Sequence, residues 1–348
     1  MSEQLMKDDK SAPAATPSSD AAGPGGSRKK PRFRIEGYAT ILFFVAFFVI
    51  VTIIEGSGYA SWDNLTLVMS QNAHVAFVAT AVTITLIAGQ FDLSAGPLLG
   101  LSAILTGGLT SIQGLPLSLT ILIVLVVGAV VGLVNGLLVT RANLNAFIAT
   151  LAVGGAVGGV TTLYSNGVVI YSGIPEQLLN AGTYDFAGIS LPIWYVGILL
   201  VVAYVVARHT ILGRHWYASG ANPDAARLAG VKVDRMIVLA FMATGLLASL
   251  AGVVILARMG SADPTLGPDL LLPAFAAAFL GSSILSDGKF TLVGTIVATF
   301  LIAFAAAGLD ALGLSPGVKP IFNGAVLVGA VALTAWLRKR SGGVGVRA

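Results

Sequence analysis

The sequence predicts an all-α polytopic membrane protein of about ten transmembrane helices with both termini cytoplasmic. Three observations carry that prediction: ten apolar runs long enough to cross a bilayer, a mean hydropathy of +0.88, and a charged fraction of only 10%. A soluble core would need a far more polar surface to cover it, so the solvent for most of these side chains is lipid. A bilayer core is about 30 Å thick and takes roughly 20 helical residues to cross. Because no water reaches backbone groups there, spanning segments are helices or closed barrels. The runs here are continuous, rich in Leu, Val, Ala and Gly, and lack the alternation of barrel strands, so they read as helices.

In chain order the predicted spans are 38–54, 72–88, 95–112, 117–140, 146–163, 192–210, 236–257, 270–285, 291–309 and 320–337. The second and third read as one apolar unit interrupted by a polar break. Glycine recurs every four residues at Gly128, Gly132 and Gly136, and again at Gly154 and Gly158, a spacing that lets helix backbones approach closely. Basic residues orient the set, since cytoplasmic segments retain Lys and Arg. With the N-terminus inside, 18 of the 20 basic residues fall on the cytoplasmic side, leaving Arg258 and Lys319 outside. Residues 1–37, rich in Ser, Ala, Pro, Gly and Asp, read as a disordered cytoplasmic tail. It ends in a basic cluster from Arg28 to Arg34, either an orientation signal or a surface for anionic lipid. A transmembrane domain follows at 38–337, with a cytoplasmic loop at 211–235, then a tail at 338–348. The first apolar run lacks a small-residue cleavage site and reads as an anchor.

The chain has no cysteine, which excludes disulfides, thiolate catalysis and Cys-based metal sites. His74, His209 and His215 are scattered without carboxylates at helical spacing, and His74 falls near an outer membrane boundary. No catalytic constellation or metal cluster is legible. The phosphate-cradling GxxxxGK[ST] motif is absent, so any ATP would be bound by another subunit. The positive charge resides in the inside loops and gives no warrant for nucleic acid.

Two segments interrupt the apolar pattern. In Gly89-Gln90-Phe91-Asp92-Leu93-Ser94-Ala95-Gly96, a carboxylate stands where one is costly, so Asp92 must face protein, water or a partner. Gly89 can end one helix, and Asp92 or Ser94 can cap the next through a side-chain oxygen. Two readings fit: a broken helix lining a pathway, or a simple cytoplasmic turn with Asp92 as a solvated N-cap. The second segment, in 211–235, holds a short helix with Asn222 as N-cap, Pro223 at the first helical position and Gly230 at the αL closing position. So short a helix is marginal alone, so it docks either on the underside of the membrane domain or in a cytoplasmic partner.

At these residues the chain resembles the permease subunits of bacterial ABC importers of the ribose and xylose (monosaccharide) type, and the resemblance runs over nearly all of it apart from the tails. Gln90-Phe91-Asp92-Leu93-Ser94-Ala95-Gly96 is similar to the family's G-[GX]-[IF]-D-L-S-V-G signature, with Gln90 where glycine is frequent and Ala95 where valine is usual. Asn145-Ala146-Phe147-Ile148-Ala149-Thr150-Leu151 resembles its P-F-I-x-T-L segment. Gly220-Ala221-Asn222-Pro223-Asp224-Ala225-Ala226-Arg227-Leu228-Ala229-Gly230-Val231 resembles its ATPase-contacting loop, and 317–330 its closing helix. The run from Gly281 to Lys289 departs from the family's glycine-rich loop.

The resemblance implies a transport subunit rather than an enzyme, located in the inner membrane. A second permease copy, a cytoplasmic ABC ATPase dimer carrying ATP-Mg, and a periplasmic sugar-binding protein are its implied partners. It also implies a translocation pathway at Gly89, Phe91, Asp92, Ser94 and Gly96, and ATPase coupling through Gly220, Asn222, Ala225, Ala226 and Gly230. Ala225 and Ala226 are expected to face the cytosol. Two rivals stand beside this reading: the same machine importing another small polar solute, such as a polyol or nucleoside, and an ion-coupled secondary transporter using Asp92.

Overall fold

A computed structural model of the chain describes residues 35–285 and 288–340. The expectations for the N-terminal tail up to Arg34, for 341–348 and for Ser286 and Asp287 lie outside the described residues.

The chain opens with α1 (Ile35–Glu55), α2 (Trp62–Gln71), α3 (Ala73–Ile87), α4 (Ala95–Ser111), α5 (Leu117–Thr140) and α6 (Ala146–Ser165). A connection follows, with α7 (Glu176–Thr183) and a hairpin of β1 (Asp185–Phe186) and β2 (Ile189–Ser190). Then come α8 (Leu191–His209), α9 (Ile211–Ala221), α10 (Pro223–Leu228), α11 (Val233–Met259), α12 (Leu266–Asp269), α13 (Leu271–Leu285), α14 (Leu292–Ala311) and α15 (Val318–Arg340). Among the described residues, seven helices are long and apolar enough to span a membrane: α5, α6, α8, α11, α12 with α13, α14 and α15. An eighth crossing is available from α2 and α3 together, bent by 48°. The apolar part of α1 and α4 are shorter than a span by length alone.

Every predicted span corresponds to a helix, and the differences lie in what an apolar-run reading cannot see. The first helix begins at Ile35, inside the segment assigned to the disordered tail. Helix α2 carries Asp63, Asn64, Ser70 and Gln71, which break the apolar run while leaving helix formation intact. The loop 211–235 is mostly helix: α9 runs through Arg214 and His215, and the Thr210 side chain caps its start by accepting from the Gly213 N–H at 3.1 Å. In the hairpin, Asp185 pairs with Ser190 and Phe186 with Ile189. Ala187 and Gly188 both take positive φ, as a two-residue primed turn requires.

At the centre stands α3, all fifteen of whose residues are buried. It packs against α11, α13, α14 and α8. Its threonines serve the backbone: Thr80 and Thr83 donate to the carbonyls of Ala76 and Ala79, each at 2.7 Å. The Thr83 and Thr295 hydroxyls lie 2.8 Å apart, tying α3 to α14, and Thr244 of α11 donates to Ala81 O at 2.8 Å. In an apolar solvent such bonds, with close backbone packing, hold helices together.

The tightest packing joins α5 to α11 along the predicted glycine stripe. A Cβ on Gly132 would sit 2.7 Å from Met242 Cα, and one on Gly136 would sit 2.8 Å from Val238 Cα; Gly128 backs onto Gly245 and Ser249. The second stripe divides. Gly154 lies against the Ser94 backbone, whereas Gly158 meets nothing within 4 Å and turns away from the chain.

The two ends of the bundle are built differently. At one end α9 and α10 lie beneath the C-terminus of α3 and the N-terminus of α11, where Trp216 Nε1 donates to Met236 O at 2.9 Å. At the other, residue 170 bridges to residue 262 by paired backbone bonds (Ile170 and Ala262), and Arg258 Nε reaches Ser70 Oγ at 3.1 Å.

Gly132→Val should overpack the α5–α11 contact and lower stability by about 1–3 kcal/mol. Gly158→Ala should change it by less than about 0.5 kcal/mol. Thermal unfolding of the detergent-solubilised protein compares the two, and equal midpoints would refute the stripe's packing role.

Candidate functional site: the break between α3 and α4

Helix α3 ends at Gly89 in a two-bond closure. Gly89, at φ +80°, donates to Leu86 O (3.1 Å), and Gln90 N–H donates to Thr85 O (2.8 Å). This pattern satisfies the last carbonyls without water, and the left-handed turn favours glycine. The chain then runs through Phe91 and Asp92 without regular secondary structure before α4 begins.

Asp92 is 1% exposed. Its Oδ1 accepts the Ser94 backbone N–H at 2.9 Å and the Ser94 hydroxyl at 2.6 Å. Asn135 Nδ2 of α5 donates to Ser94 Oγ at 2.7 Å, and Leu93 N–H donates to Thr150 Oγ1 of α6 at 3.0 Å. A relay from Asn135 through Ser94 to Asp92 thus ties three segments together. Its direction follows from Asn135, because a carboxamide nitrogen only donates and leaves the Ser94 hydroxyl proton for Asp92. The expected capping is half right. Asp92 does hold a backbone N–H at the entry to α4, but Ser94 gives its hydroxyl to Asp92 rather than to the helix.

The burial of Asp92 removes the solvated N-cap of the simple-turn reading. Asn135 lies five residues before the end of α5 and Thr150 four after the start of α6, both ends belonging to the α10 side. At 1.5 Å per residue the carboxylate sits about 6–8 Å inside those helix ends. It is therefore close to one surface, yet buried in protein rather than solvated.

Phe91 and Gly89 are the exposed members of the segment, and the Phe91 ring lies 6.2 Å from that of Phe275 in α13. Gly96 lies in the first turn of α4 beneath α12, where a Cβ would come within 2.6 Å of Gly267 O. Asn135 and Thr150 were not singled out from the sequence. A lone carboxamide in the otherwise apolar α5 was the available signal for Asn135, and Thr150 lay unremarked within a family-like segment.

The second predicted site is close by. Asn222 Oδ1 accepts the Ala225 N–H at 3.0 Å, Pro223 opens α10, and Gly230 closes it at φ +85°. The closure repeats that of α3: Gly230 N–H bonds Arg227 O and Val231 N–H bonds Ala226 O, each at 2.9 Å. Arg227 spans Asp224 (3.4 Å) and Asp234 (3.1 Å), exposed pairs of small energetic weight. The expectation that Ala225 and Ala226 both face the cytosol is corrected. Ala225 is exposed, but Ala226 is buried against Ala146, Val233, Ile237 and Phe241 because it faces α11. The residue that projects is Leu228, 92% exposed.

Gly220 joins the two sites. It packs directly on the closure of α3, where a Cβ would lie 2.9 Å from Gly89 N and closer still to Ile87 O. The α9 helix carrying α10 thus rests on the end of the broken helix, backbone to backbone. Tyr217 of the same helix donates to Phe290 O at 3.1 Å, and burial raises its phenol pKa, with Arg208 opposing, so it stays protonated and keeps that bond.

Residues 64–331 match the family model described as a branched-chain amino acid transport system / permease component. The chain belongs to that permease family. It is 33% identical over 292 residues to the ribose import permease protein RbsC of Escherichia coli (strain K12), covering 82% of this chain and 91% of that one. The fructose import permease protein FrcC of Rhizobium meliloti is 32% identical over 308 residues, 86% of this chain and 84% of its own. The autoinducer 2 import system permease protein LsrC of Yersinia pseudotuberculosis is 32% identical over 304 residues, 87% and 85% of the two chains. No solved structure matches. As a permease the chain is a multi-pass membrane protein.

Asp92→Ala should strand the buried Ser94 N–H and cost about 1–3 kcal/mol. Asp92→Asn, which keeps an acceptor oxygen, should cost less. Chemical denaturation in detergent measures the difference, and equal losses would show that the relay does not hold the break.

Proposed function

We propose that this chain is the membrane-spanning subunit of an ATP-driven importer of a monosaccharide, working as a permease dimer. A cytoplasmic ABC ATPase dimer would power it and a periplasmic binding protein would deliver the solute. The observation that carries the reading is the end-to-end likeness to permeases named for ribose and fructose import, over more than four fifths of each chain. The likeness to an autoinducer 2 permease keeps another small polar solute as the second reading.

In this reading the chain crosses the inner membrane ten times, with α2–α3 as one crossing and α1 and α4 as two short ones. The α10 end faces the cytoplasm. Arg141, Arg208, Arg214, Arg227, Lys232, Arg235 and Lys289 gather at that end, as cytoplasmic segments do. Helix α10 is then the ATPase contact, with Leu228 as its apolar tip and Ala225 beside it. Movement of α10 reaches the pathway through Gly220 and Gly89, since backbones in direct contact cannot shift independently. Gly89, Phe91, Asp92, Ser94 and Gly96 form the pathway's inner constriction, with Asp92 holding the turn rather than carrying an ion. An ion-coupled carrier would need Asp92 as its ion or proton site, whereas Asp92 Oδ1 is already taken up by the Ser94 amide and hydroxyl.

Leu228→Arg should leave the protein folded and abolish co-purification of the ATPase, while Ala226→Arg should unfold the α10 packing as well. ATPase retention by a folded Leu228→Arg variant would refute the docking role. With no natural cysteine, single cysteines also report orientation. A cysteine at Asp185 should label with an impermeant thiol reagent in intact cells, and one at Ala221 only after permeabilisation. Uptake should stop when ATP is depleted with the membrane potential held, and survive collapse of the proton gradient; the reverse would establish the ion-coupled rival.

A further inference from the structure

A cavity of about 280 Å³ opens at the end of the bundle opposite α10, between α2–α3, the start of α13, and the facing parts of α14 and α15. It lies near the lower limit for small-molecule sites, which run from roughly 300 to 1,000 Å³. Its wall reaches along α14 from Thr299 to Asp310, eleven residues apart and so about 16 Å by the helical rise. That is about half the roughly 30 Å of a bilayer core.

Two of its polar linings are unpaired. His74, expected at a membrane boundary, is only 8% exposed inside the protein, and its Nδ1 has no hydrogen-bond partner. Asn323 Oδ1 is likewise buried without one. A buried polar atom left unsatisfied is costly, so such atoms call for an explanation. The charges at the mouth cancel: Lys319 and Asp310 pair at 2.5 Å. Val75, Pro273 and Ile302 supply apolar wall. An ionic ligand would find no unpaired opposite charge among these linings. A neutral, hydroxyl-rich molecule would find hydrogen-bond partners on one side and an apolar surface for its C–H groups on the other.

We propose that this cavity is a solute subsite for a single monosaccharide or a polyol of that size, with His74 Nδ1 and Asn323 Oδ1 bonding its hydroxyls. The assignment rests on the importer reading, in which this end faces outward and receives the solute before it reaches the Asp92 break.

The test uses the full chain in lipid nanodiscs with a single Ala306→Cys substitution on the cavity wall, labelled by a maleimide. D-ribose or D-fructose at millimolar concentration should slow labelling, and L-leucine should not. His74→Ala and Asn323→Ala should each raise the half-protecting sugar concentration about tenfold, the scale of one lost hydrogen bond. His74→Gln, which keeps hydrogen-bonding capacity, should restore part of the loss. Labelling unaffected by either sugar means a water-filled cavity only and overturns the proposal. Protection by L-leucine overturns the substrate class, and protection unchanged in both alanine variants overturns the assignment to these two atoms. Both faces of a nanodisc are open and no ATPase is present. Failure here therefore leaves the importer reading standing, while failure of ATP dependence in uptake leaves the cavity result standing.

Discussion

Where a helix stops inside a membrane protein, its leftover backbone donors and acceptors have no water to turn to, and the rest of this structure follows from how that constraint is met between α3 and α4. An unpaired amide in such a place costs several kcal/mol. The carbonyls at the end of α3 are taken up by Gly89 and Gln90, and the amides of Leu93 and Ser94 by Thr150 and Asp92. The carboxylate therefore does what water would do in a soluble protein, from a position 1% exposed. Because Thr150 and Asn135 come from α6 and α5, the break holds its shape only while those helices stay in register.

That register comes from small residues. Gly128, Gly132 and Gly136 bring α5 against α11, and Gly154 brings α6 against the Ser94 backbone. Lipid tails offer no hydrophobic incentive for helices to associate, so contact between backbones and hydroxyl-to-carbonyl bonds must supply it. The same device reappears at Gly220, where α9 lies on the end of α3. A side chain at either glycine would separate the arm from the break, so the glycine pair is both a packing contact and a mechanical joint.

Much of this architecture was legible before any coordinates. The apolar runs located every long helix, because a lipid-facing surface leaves a continuous compositional trace. The caps of α10 were readable too, since Asn222, Pro223 and Gly230 act on backbone within a few residues. What escaped was whatever depends on a partner distant in the chain. Ala225 and Ala226 look identical in sequence, and only the seat of α10 on α11 buries one and exposes the other. Helix α2 escaped because its polar residues break the apolar run, and one of them, Ser70, meets the distant Ser190 and Arg258.

The sequence by itself determined the class, the long apolar helices, the polar break and the short capped helix, because hydropathy and local capping are properties of neighbouring residues. The tertiary structure alone decided which side chains complete the break, that Gly220 rests on Gly89, and that His74 and Asn323 line one cavity. Those pairings join residues 41 to 249 positions apart, and hydrogen bonds and close packing act over ångströms in space, a distance that separation along the chain does not encode.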